Sequence, residues 1–266
     1  MHQVIPVWVI NLTKRPDRLF IIGNRLDELG IAWKRLEAID GNICDETELS
    51  ISKKSGEIGA ISNAARACTA SHYKFWKEFM FFDAKYGIVL EDDVEISDDF
   101  KKLVFDLSWI PNHAKLIKLE KSAAHKKSTL LLGFKLSETK DGSREVRKMH
   151  SRHCGTAAYL ISKKGAKVAI NWNQPFSVPI DHVLFNETVS KLCTALQTMI
   201  LIPPISWQSH NIGKGSDIIN DKVLLTTGRK PLIRSIKRAY YETRLLPYQL
   251  FLYITNKAEI ITFFRK

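Results

Sequence analysis

The sequence lacks the features that mark membrane-spanning, secreted or disulfide-rich proteins. No apolar run approaches the roughly 20 residues that a membrane-spanning helix needs. The apolar segment 4–12 is short and has no basic residue before it, so we expect no secretory signal here. The four cysteines show no Cys-x-x-Cys spacing, which argues against a zinc site or a disulfide scaffold. We therefore expect a cytoplasmic protein.

Low-complexity and disordered classes are also excluded by the composition. The chain has 266 residues, of which 45% are hydrophobic and 26% charged, with 13 glycines and 9 prolines. These values are typical of a globular protein. The length is sufficient for one large domain with a substantial hydrophobic core.

Positive charge is in excess and is concentrated at the end of the chain. The formal net charge is +12, and residues 228–266 hold nine basic but only two acidic residues. In this tail the basic residues are interspersed with Leu, Ile, Tyr and Phe, and no nucleic-acid-binding signature is present, so we expect no nucleic-acid partner. Ile233, Ile236 and Tyr240 share a helical face, which predicts a basic amphipathic helical tail on an anionic membrane surface. Packing of that face on the catalytic domain, or on a second copy in a homodimer, is the alternative.

Alternating strand and helix patterns in residues 1–227 predict an α/β catalytic domain, followed by the tail 228–266. Residues 4–12 resemble a buried parallel strand, and Pro16 and Gly30 suit the start and the end of a helix. A second buried strand is predicted for 87–90, and the polar segment 135–152 predicts an exposed loop. We expect a mostly parallel central sheet flanked by helices.

Three consecutive carboxylates form the sharpest local feature, Leu90-Glu91-Asp92-Asp93-Val94. They directly follow a predicted buried strand, and open α/β sheets bind ligands at the carboxyl ends of their strands. Carboxylates this close repel one another unless a cation neutralises them, and Mg²⁺ or Mn²⁺ prefers such oxygen ligands. The alternative is an acidic turn that caps the following helix.

Five motifs, in this order, resemble glycosyltransferase family 25, the lipopolysaccharide and lipooligosaccharide transferases related to the procollagen galactosyltransferases. They are Val9-Ile10-Asn11-Leu12, Arg15-Pro16-Asp17-Arg18, Leu90-Glu91-Asp92-Asp93-Val94, Gly155-Thr156-Ala157-Ala158-Tyr159-Leu160-Ile161-Ser162 and Pro179-Ile180-Asp181. The resemblance implies a nucleotide-diphosphosugar transferase fold of the GT-A type, inverting transfer, UDP-galactose as the commonest donor and a metal held by the acidic motif.

One element of that family is only partly present. Cys68-Thr69-Ala70-Ser71-His72 matches the second half of Glu-x-Gly-Cys-x-x-Ser-His, whereas Ala65 and Ala67 stand where Glu and Gly are usual. This departure weakens the roles that the resemblance implies for this helix. A donor or acceptor other than the family's commonest is one reading of it.

The residues and the resemblance together predict the members of a site. Asp181 is the predicted general base, which would deprotonate the acceptor hydroxyl. The alternative role for Asp181 is a helix cap, and the alternative for His72 is packing in the core. The alternative for Arg15, Arg18 and His210 is a solvated position at the surface. The predicted metal ligands are Asp93, Glu91 and His210, and the predicted donor-binding residues are Asn11, Arg15, Arg18, Ser71, His72, Asp92 and Lys214.

The sequence thus predicts an inverting, metal-dependent glycosyltransferase that moves a hexose from a UDP-sugar. Galactose is the expected hexose, Mn²⁺ or Mg²⁺ the cofactor, and a lipid-linked oligosaccharide of lipooligosaccharide or lipopolysaccharide the acceptor. Such an enzyme would work at the inner face of the cytoplasmic membrane. The alternative is a sugar- or nucleic-acid-binding protein without catalytic activity, against which the complete Glu91-Asp92-Asp93 motif argues.

Overall fold

The computed structural model describes residues 4–121, 127–208, 236, 239–241 and 243–263. Their strands are β1 (Val7–Asn11), β2 (Trp33–Glu37), β3 (Ser55–Gly56), β4 (Gly59–Ala60), β5 (Tyr86–Glu91), β6 (Val94–Ile96), β7 (Leu116–Lys118), β8 (Glu120–Lys121), β9 (Ser128–Glu138), β10 (Glu145–Met149), β11 (Ala158–Ser162), β12 (Met199–Ile202), β13 (Ser206–Gln208) and β14 (Ala258–Phe263). The helices are α1 (Pro16–Glu28), α2 (Glu46–Leu49), α3 (Asn63–Phe79), α4 (Phe100–Phe105), α5 (Lys163–Ile170), α6 (Ile180–Phe185), α7 (Lys191–Leu196) and α8 (Leu246–Ile254).

The central sheet of these residues has the order β14-β9-β10-β12-β7-β11-β5-β1-β2. The predicted α/β class is confirmed. Within the sheet, β1 is parallel to β2 and to β5, and β7 is parallel to β12, while the other neighbours are antiparallel. The sheet is therefore mixed. Short connections such as the one between β9 and β10 can join only antiparallel neighbours, whereas parallel pairs need a crossover.

Apolar side chains cover both faces of the sheet and explain why β1 is an uninterrupted apolar run. Val7 and Val9 belong to the core cluster on one face, with Ile22 of α1. Trp8 and Phe75 of α3 belong to the cluster on the other face. Successive side chains of a strand point to opposite faces, so a strand covered on both sides is apolar at every position. Each fully buried large side chain contributes about 1.5–3 kcal/mol.

The segment 135–152 was predicted to be an exposed loop, and this prediction was wrong. Half of it belongs to β9 and β10, which pair antiparallel with two irregularities in register. Val146 is buried in the core cluster on one face of the sheet and Met149 in the cluster on the other, whereas Glu145, Arg147 and Lys148 carry charge. Because buried apolar residues are few and irregularly spaced in this segment, its composition resembles that of a loop.

The tail contains both a helix and a strand. Helix α8 lies within the segment predicted to be helical, but residues 258–263 form β14, which corrects the expectation of a wholly helical segment. β14 pairs antiparallel with β9, from Ala258 opposite Gly133 to Phe263 opposite Ser128. Pairing across more than 100 residues is invisible to local periodicity. Residues 209–235 lie outside the described residues.

Four chain segments meet at one edge of the sheet. β1 and β5 run parallel, with Ile10 opposite Glu91, so their carboxyl ends lie side by side. β11 runs antiparallel to β5, with Ala158 opposite Leu90, so its beginning lies at the same edge. The carboxyl end of β7 joins them, because β7 is antiparallel to β11. This edge carries the candidate site.

Candidate active site

Asp92 is held by the turn between β1 and α1. The Asn11 side-chain amide donates to Asp92 Oδ2 at 2.8 Å and to the Arg15 carbonyl at 2.8 Å, and Arg18 Nη1 lies 3.3 Å from Asp92 Oδ1. The side chains of Asn11, Arg18 and Asp92 are all buried. Burial raises the pKa of Asp92 above its usual range, and the contacts with Asn11 and Arg18 oppose that rise. The structure therefore brings three predicted donor-site residues together and joins them to one another.

Glu91 is oriented by a buried relay of hydrogen bonds. Trp76 Nε1 donates to the Tyr159 hydroxyl at 2.9 Å, and that hydroxyl lies 3.0 Å from His72 Nδ1. An ionised Glu91 carboxylate can only accept, so His72 carries a proton on Nε2, and the Tyr159 hydroxyl, which accepts from Trp76, has its own proton available for Nδ1. Nε2 then donates to Glu91 Oε1 at 3.2 Å, and the Thr156 hydroxyl donates to the same oxygen at 2.5 Å. Burial alone would raise the pKa of Glu91. The hydrogen bonds from His72 and Thr156 outweigh this effect, so the net pKa of Glu91 lies below its usual range.

Asp93 has an incomplete set of partners within the described residues. Its Oδ2 accepts a hydrogen bond from the Gln208 side-chain amide at 3.1 Å, whereas its Oδ1 is buried and has no partner there. Burial and the neighbouring charges of Glu91 and Asp92 raise the pKa of Asp93 to about 7. A buried carboxylate oxygen without a donor, next to two further carboxylates, fits a hard divalent cation.

Cys68 lies beside these carboxylates but is not arranged as a nucleophile. The ligand atoms of Cys68, His72 and Glu91 lie within 4.8 Å of one another. Burial, and then the charges of Glu91, Asp181 and Asp93 in that order, hold the pKa of the Cys68 thiol well above its usual range. Both ring nitrogens of His72 are already engaged, so it does not serve Cys68 as a base.

Asp181 lies in the first turn of α6, two residues after Pro179. Its Oδ1 accepts a hydrogen bond from the His182 backbone N–H at 2.9 Å, and the side chain remains partly exposed. The negative charge of Asp181 is close enough to Cys68 to contribute to the raised pKa of that thiol. The structure thus brings the end of the Pro179-Ile180-Asp181 motif to the carboxylate group that follows β5.

Two other predicted donor-binding residues have partners inside the protein. Arg15 forms a two-point ion pair with Asp17, with N–O distances of 3.0 and 2.8 Å. The Ser71 hydroxyl accepts from the Ile39 backbone N–H and donates to the Ala67 carbonyl, both at 2.8 Å. Ser71 is fully buried and ties α3 to the segment after β2. The predicted donor-binding residue Lys214 and the predicted metal ligand His210 lie outside the described residues.

Comparison with known proteins settles the family. Residues 4–184 match the model of Glycosyltransferase family 25 (LPS biosynthesis protein), which is more than half of the chain. The chain belongs to glycosyltransferase family 25. The matched range includes every predicted site residue from Asn11 to Asp181.

Individual relatives of this family 25 protein are distant. Human procollagen galactosyltransferase 2 is 27% identical over 250 residues, which are 85% of this chain and 34% of the relative. The lipooligosaccharide biosynthesis protein lic2B of Haemophilus influenzae is 26% identical over 117 residues, 40% of each protein. The matches thus span well under two thirds of these relatives. A solved glycosyltransferase involved in the glycosylation of the major capsid of PBCV-1 is 9% identical, with a TM-score of 0.39, covering 84% of this chain and 98% of that one.

A second group of polar residues in this family 25 protein was missed by the sequence analysis. Lys118, Glu120, Lys121 and His153 are all buried, and we call them the buried polar cluster. Lys118 Nζ donates to Glu120 Oε1 at 2.7 Å and also to the Gly155 carbonyl. The available signal was Leu116-Ile117-Lys118-Leu119-Glu120-Lys121, in which charges alternate within a strand that is otherwise apolar. Alternation is also typical of a half-exposed strand, so it does not by itself indicate burial.

Proposed function

We propose that this family 25 protein is an inverting, metal-dependent glycosyltransferase with a GT-A type nucleotide-diphosphosugar fold. In this proposal the donor is UDP-galactose and the acceptor is a lipid-linked oligosaccharide of lipooligosaccharide or lipopolysaccharide. The family description names lipopolysaccharide biosynthesis, and the two relatives are named a galactosyltransferase and a lipooligosaccharide biosynthesis protein. These names support the choice of sugar and acceptor.

The observation that carries the proposal is the buried, unpartnered Oδ1 of Asp93 among the described residues, beside Glu91 and Asp92. Burying one oxygen of an ionised carboxylate without a partner is unfavourable, and a bound cation would remove that penalty. Asp93 and Glu91 would hold Mn²⁺ or Mg²⁺, with His210 as a proposed third ligand. A divalent cation bound there would offset the negative charge that develops on the departing diphosphate.

The donor-side residues would bind the nucleotide and keep the carboxylates in place. Asn11 and Arg18 both contact Asp92, so the β1–α1 turn and the acidic motif are joined directly. Arg15 lies at the entrance of that turn, and its planar guanidinium suits two-point binding of a diphosphate oxygen pair in exchange for Asp17. Lys214 is proposed to add a further positive charge to the donor.

Asp181 is the proposed general base. It would accept the proton of the acceptor hydroxyl while that oxygen forms its bond to the anomeric carbon. The bond from that carbon to UDP breaks at the same time on the opposite face, and its electron pair leaves with UDP, so the configuration inverts. With one oxygen held by the His182 N–H, the partly exposed Asp181 carboxylate has a defined orientation toward solvent.

Helix α8 supports a proposed contact with the inner face of the cytoplasmic membrane. Leu250, Phe251 and Ile254 are exposed by 58%, 51% and 68% on a helix of nine residues, and Lys257 lies over the Phe251 ring. None of the helices in the described parts of the chain combines the length and apolarity that crossing a bilayer requires. An apolar helical face beside basic residues suits the surface of an anionic membrane.

A nucleotide-release assay tests the proposed function. Purified protein is incubated with Mn²⁺ and, separately, UDP-galactose, UDP-glucose and UDP-N-acetylglucosamine, and free UDP is measured with and without delipidated lipooligosaccharide. We expect selective release from UDP-galactose that the acceptor accelerates. EDTA and Asp93→Asn should abolish release, whereas Asp141→Asn, in the exposed β9–β10 turn, should not change it. Full activity in EDTA and in Asp93→Asn would rule out the metal-dependent mechanism.

A further inference from the structure

Three side chains of different ligand type meet where β5 ends. Cys68 and His72 are four residues apart on α3, so they share one face of that helix, and Glu91 is the last residue of β5. One ligand atom from each of the three, a thiol sulfur, a ring nitrogen and a carboxylate oxygen, lies within 4.8 Å of the other two. Bond lengths of about 2.0–2.3 Å place the ligand atoms of a tetrahedral zinc site about 3.2–3.8 Å apart. The three atoms are therefore within about 1 Å of that geometry.

The protein already holds two of these three ligands in place. His72 Nε2 lies 3.2 Å from Glu91 Oε1, close to the separation that a tetrahedral cation bound to both atoms requires. The Tyr159 hydroxyl anchors His72 Nδ1 at 3.0 Å, and the Thr156 hydroxyl anchors Glu91 Oε1. His72 is completely buried, whereas Cys68 and Glu91 are partly exposed. A cation thus has a route from solvent to a set of ligands that needs only a small closure.

The charges around Cys68 favour a cation at this position. Four carboxylates lie close enough to act on the thiol, and they belong to Glu91, Asp181, Asp93 and Asp92. The positive charge of Lys118 opposes part of this negative charge at Glu91. A divalent cation bound among the carboxylates offsets their mutual repulsion.

The ligand types select the cation. A thiolate, an imidazole and a carboxylate are all ligands that Zn²⁺ takes, whereas Mg²⁺ and Mn²⁺ prefer oxygen ligands such as those of Asp93. Three protein ligands leave the fourth position of a tetrahedral zinc ion to water. The lack of Cys-x-x-Cys spacing argues only against a zinc site built on pairs of cysteines, and this site has a single cysteine.

We propose that Cys68, His72 and Glu91 form a binding site for Zn²⁺ beside the proposed Mn²⁺ site. The cation displaces the thiol proton of Cys68 into solvent and binds the sulfur as a thiolate. It binds His72 through Nε2, and the ring proton then resides on Nδ1, where the Tyr159 hydroxyl accepts it. Because Glu91 belongs to both ligand sets, Zn²⁺ bound here removes a ligand from Mn²⁺ and inhibits transfer. The inhibition, unlike the binding of Zn²⁺ itself, rests on the proposed function.

The binding test compares the wild type with Cys68→Ser, both reduced and metal-free, and uses Co²⁺ as a spectroscopic substitute for Zn²⁺. A thiolate bound to Co²⁺ gives an intense charge-transfer band in the near ultraviolet, and tetrahedral coordination gives strong visible bands. Cys44→Ser is the matched control, because Cys44 is also partly exposed and the charges of Glu48, Asp40 and Asp45 act on it. Titration calorimetry measures the Zn²⁺ affinity of the same three proteins.

We expect the charge-transfer band in the wild type and in Cys44→Ser, its loss in Cys68→Ser, and its disappearance when Zn²⁺ displaces Co²⁺. Loss of an outer partner of a metal ligand already lowers metal affinity about 10- to 100-fold, so loss of the thiolate should lower Zn²⁺ affinity at least about 100-fold. In the UDP-release assay with Mn²⁺, Zn²⁺ should inhibit the wild type and Cys44→Ser. The half-inhibiting concentration should be at least about tenfold higher in Cys68→Ser, with the activity of each protein without Zn²⁺ as its reference.

The site is overturned if the wild type shows no thiolate-to-cobalt band, or if Cys68→Ser shows the same band as the wild type. If Cys68→Ser fails to fold, the cysteine that Zn²⁺ protects from alkylation is mapped in the wild type by mass spectrometry. Protection of Cys68 then supports the site, and protection of a different cysteine overturns it.

The inhibition and the proposed function have separate outcomes. Equal half-inhibiting concentrations in all three proteins would contradict the shared use of Glu91. Wild-type protein that binds Co²⁺ through a thiolate but releases no UDP from any donor would instead refute the proposed function, which separates the two failures.

Discussion

Replacement of Tyr159 by Phe tests whether the buried relay holds Glu91 in position. The substitution removes one hydroxyl and leaves the ring in place. Trp76 Nε1 and His72 Nδ1 then lose their partner, and both side chains are completely buried, so no solvent replaces it. Each buried polar atom left without a partner destabilises by about 1–3 kcal/mol, so for the two atoms we expect a loss of about 2–6 kcal/mol. At about 2–4 °C per kcal/mol for a chain of this size, that lowers Tm by roughly 4–24 °C.

The same substitution should reduce activity, because the Tyr159 hydroxyl holds the His72 ring in its orientation. Without that hydroxyl the ring is held only through Nε2, so its hydrogen bond to Glu91 is less well aligned and Glu91 is oriented less firmly. Loss of a group that orients a metal-binding side chain lowers metal affinity or activity by about 10- to 100-fold. We expect the Mn²⁺ concentration that half-activates UDP release to rise within that range.

The assays are thermal unfolding by circular dichroism and UDP release over a series of Mn²⁺ concentrations. Tyr73→Phe is the matched control, since the Tyr73 hydroxyl lies on the same helix as His72 and makes a single long bond, 3.4 Å, to the Ile170 carbonyl. Its removal should destabilise by less than about 1 kcal/mol. If Tyr159→Phe unfolds at the same temperature as Tyr73→Phe and keeps the wild-type response to Mn²⁺, the relay does not orient Glu91.

Three further predictions concern the acidic motif, the base and the tail. In metal-free protein the pKa of Asp93 is raised to about 7, whereas in the unfolded chain it has its ordinary value of 3.8, so stability falls as pH rises between these values. In urea unfolding, the free energy of unfolding should fall with pH more steeply in the wild type than in Asp93→Asn, by up to roughly 1.4 kcal/mol per pH unit. Equal slopes in the two proteins would contradict this. Asp181→Asn should lower turnover by about 10²–10⁴-fold with unchanged UDP affinity in calorimetry; loss of UDP binding would place Asp181 in the donor site. Leu250→Ser with Ile254→Ser should weaken cosedimentation with anionic vesicles at unchanged Tm, since both residues are exposed, and undiminished binding would exclude α8 as the contact.

Local patterns in the sequence determined the α/β class and the position of the acidic motif. The apolar run of β1, Pro16 at the start of α1 and the strand before Glu91 all depend on neighbouring residues, so periodicity and turn chemistry predict them. The rule that open α/β sheets bind ligands at the carboxyl ends of their strands then directs attention to Glu91-Asp92-Asp93. The five ordered motifs also predicted the family, which the comparison confirmed.

Only the tertiary structure decided which side chains complete the site. His72 meets Glu91 across 19 residues and Tyr159 across 87, contacts that no local pattern contains. β14 likewise joins β9 from more than 100 residues away. Lys118 and Glu120 are buried because other parts of the chain cover them. A charged residue looks the same in the sequence whether its side chain faces water or a neighbouring element. Long-range packing therefore decides whether a charged side chain is solvated at the surface or is buried among the residues of a site.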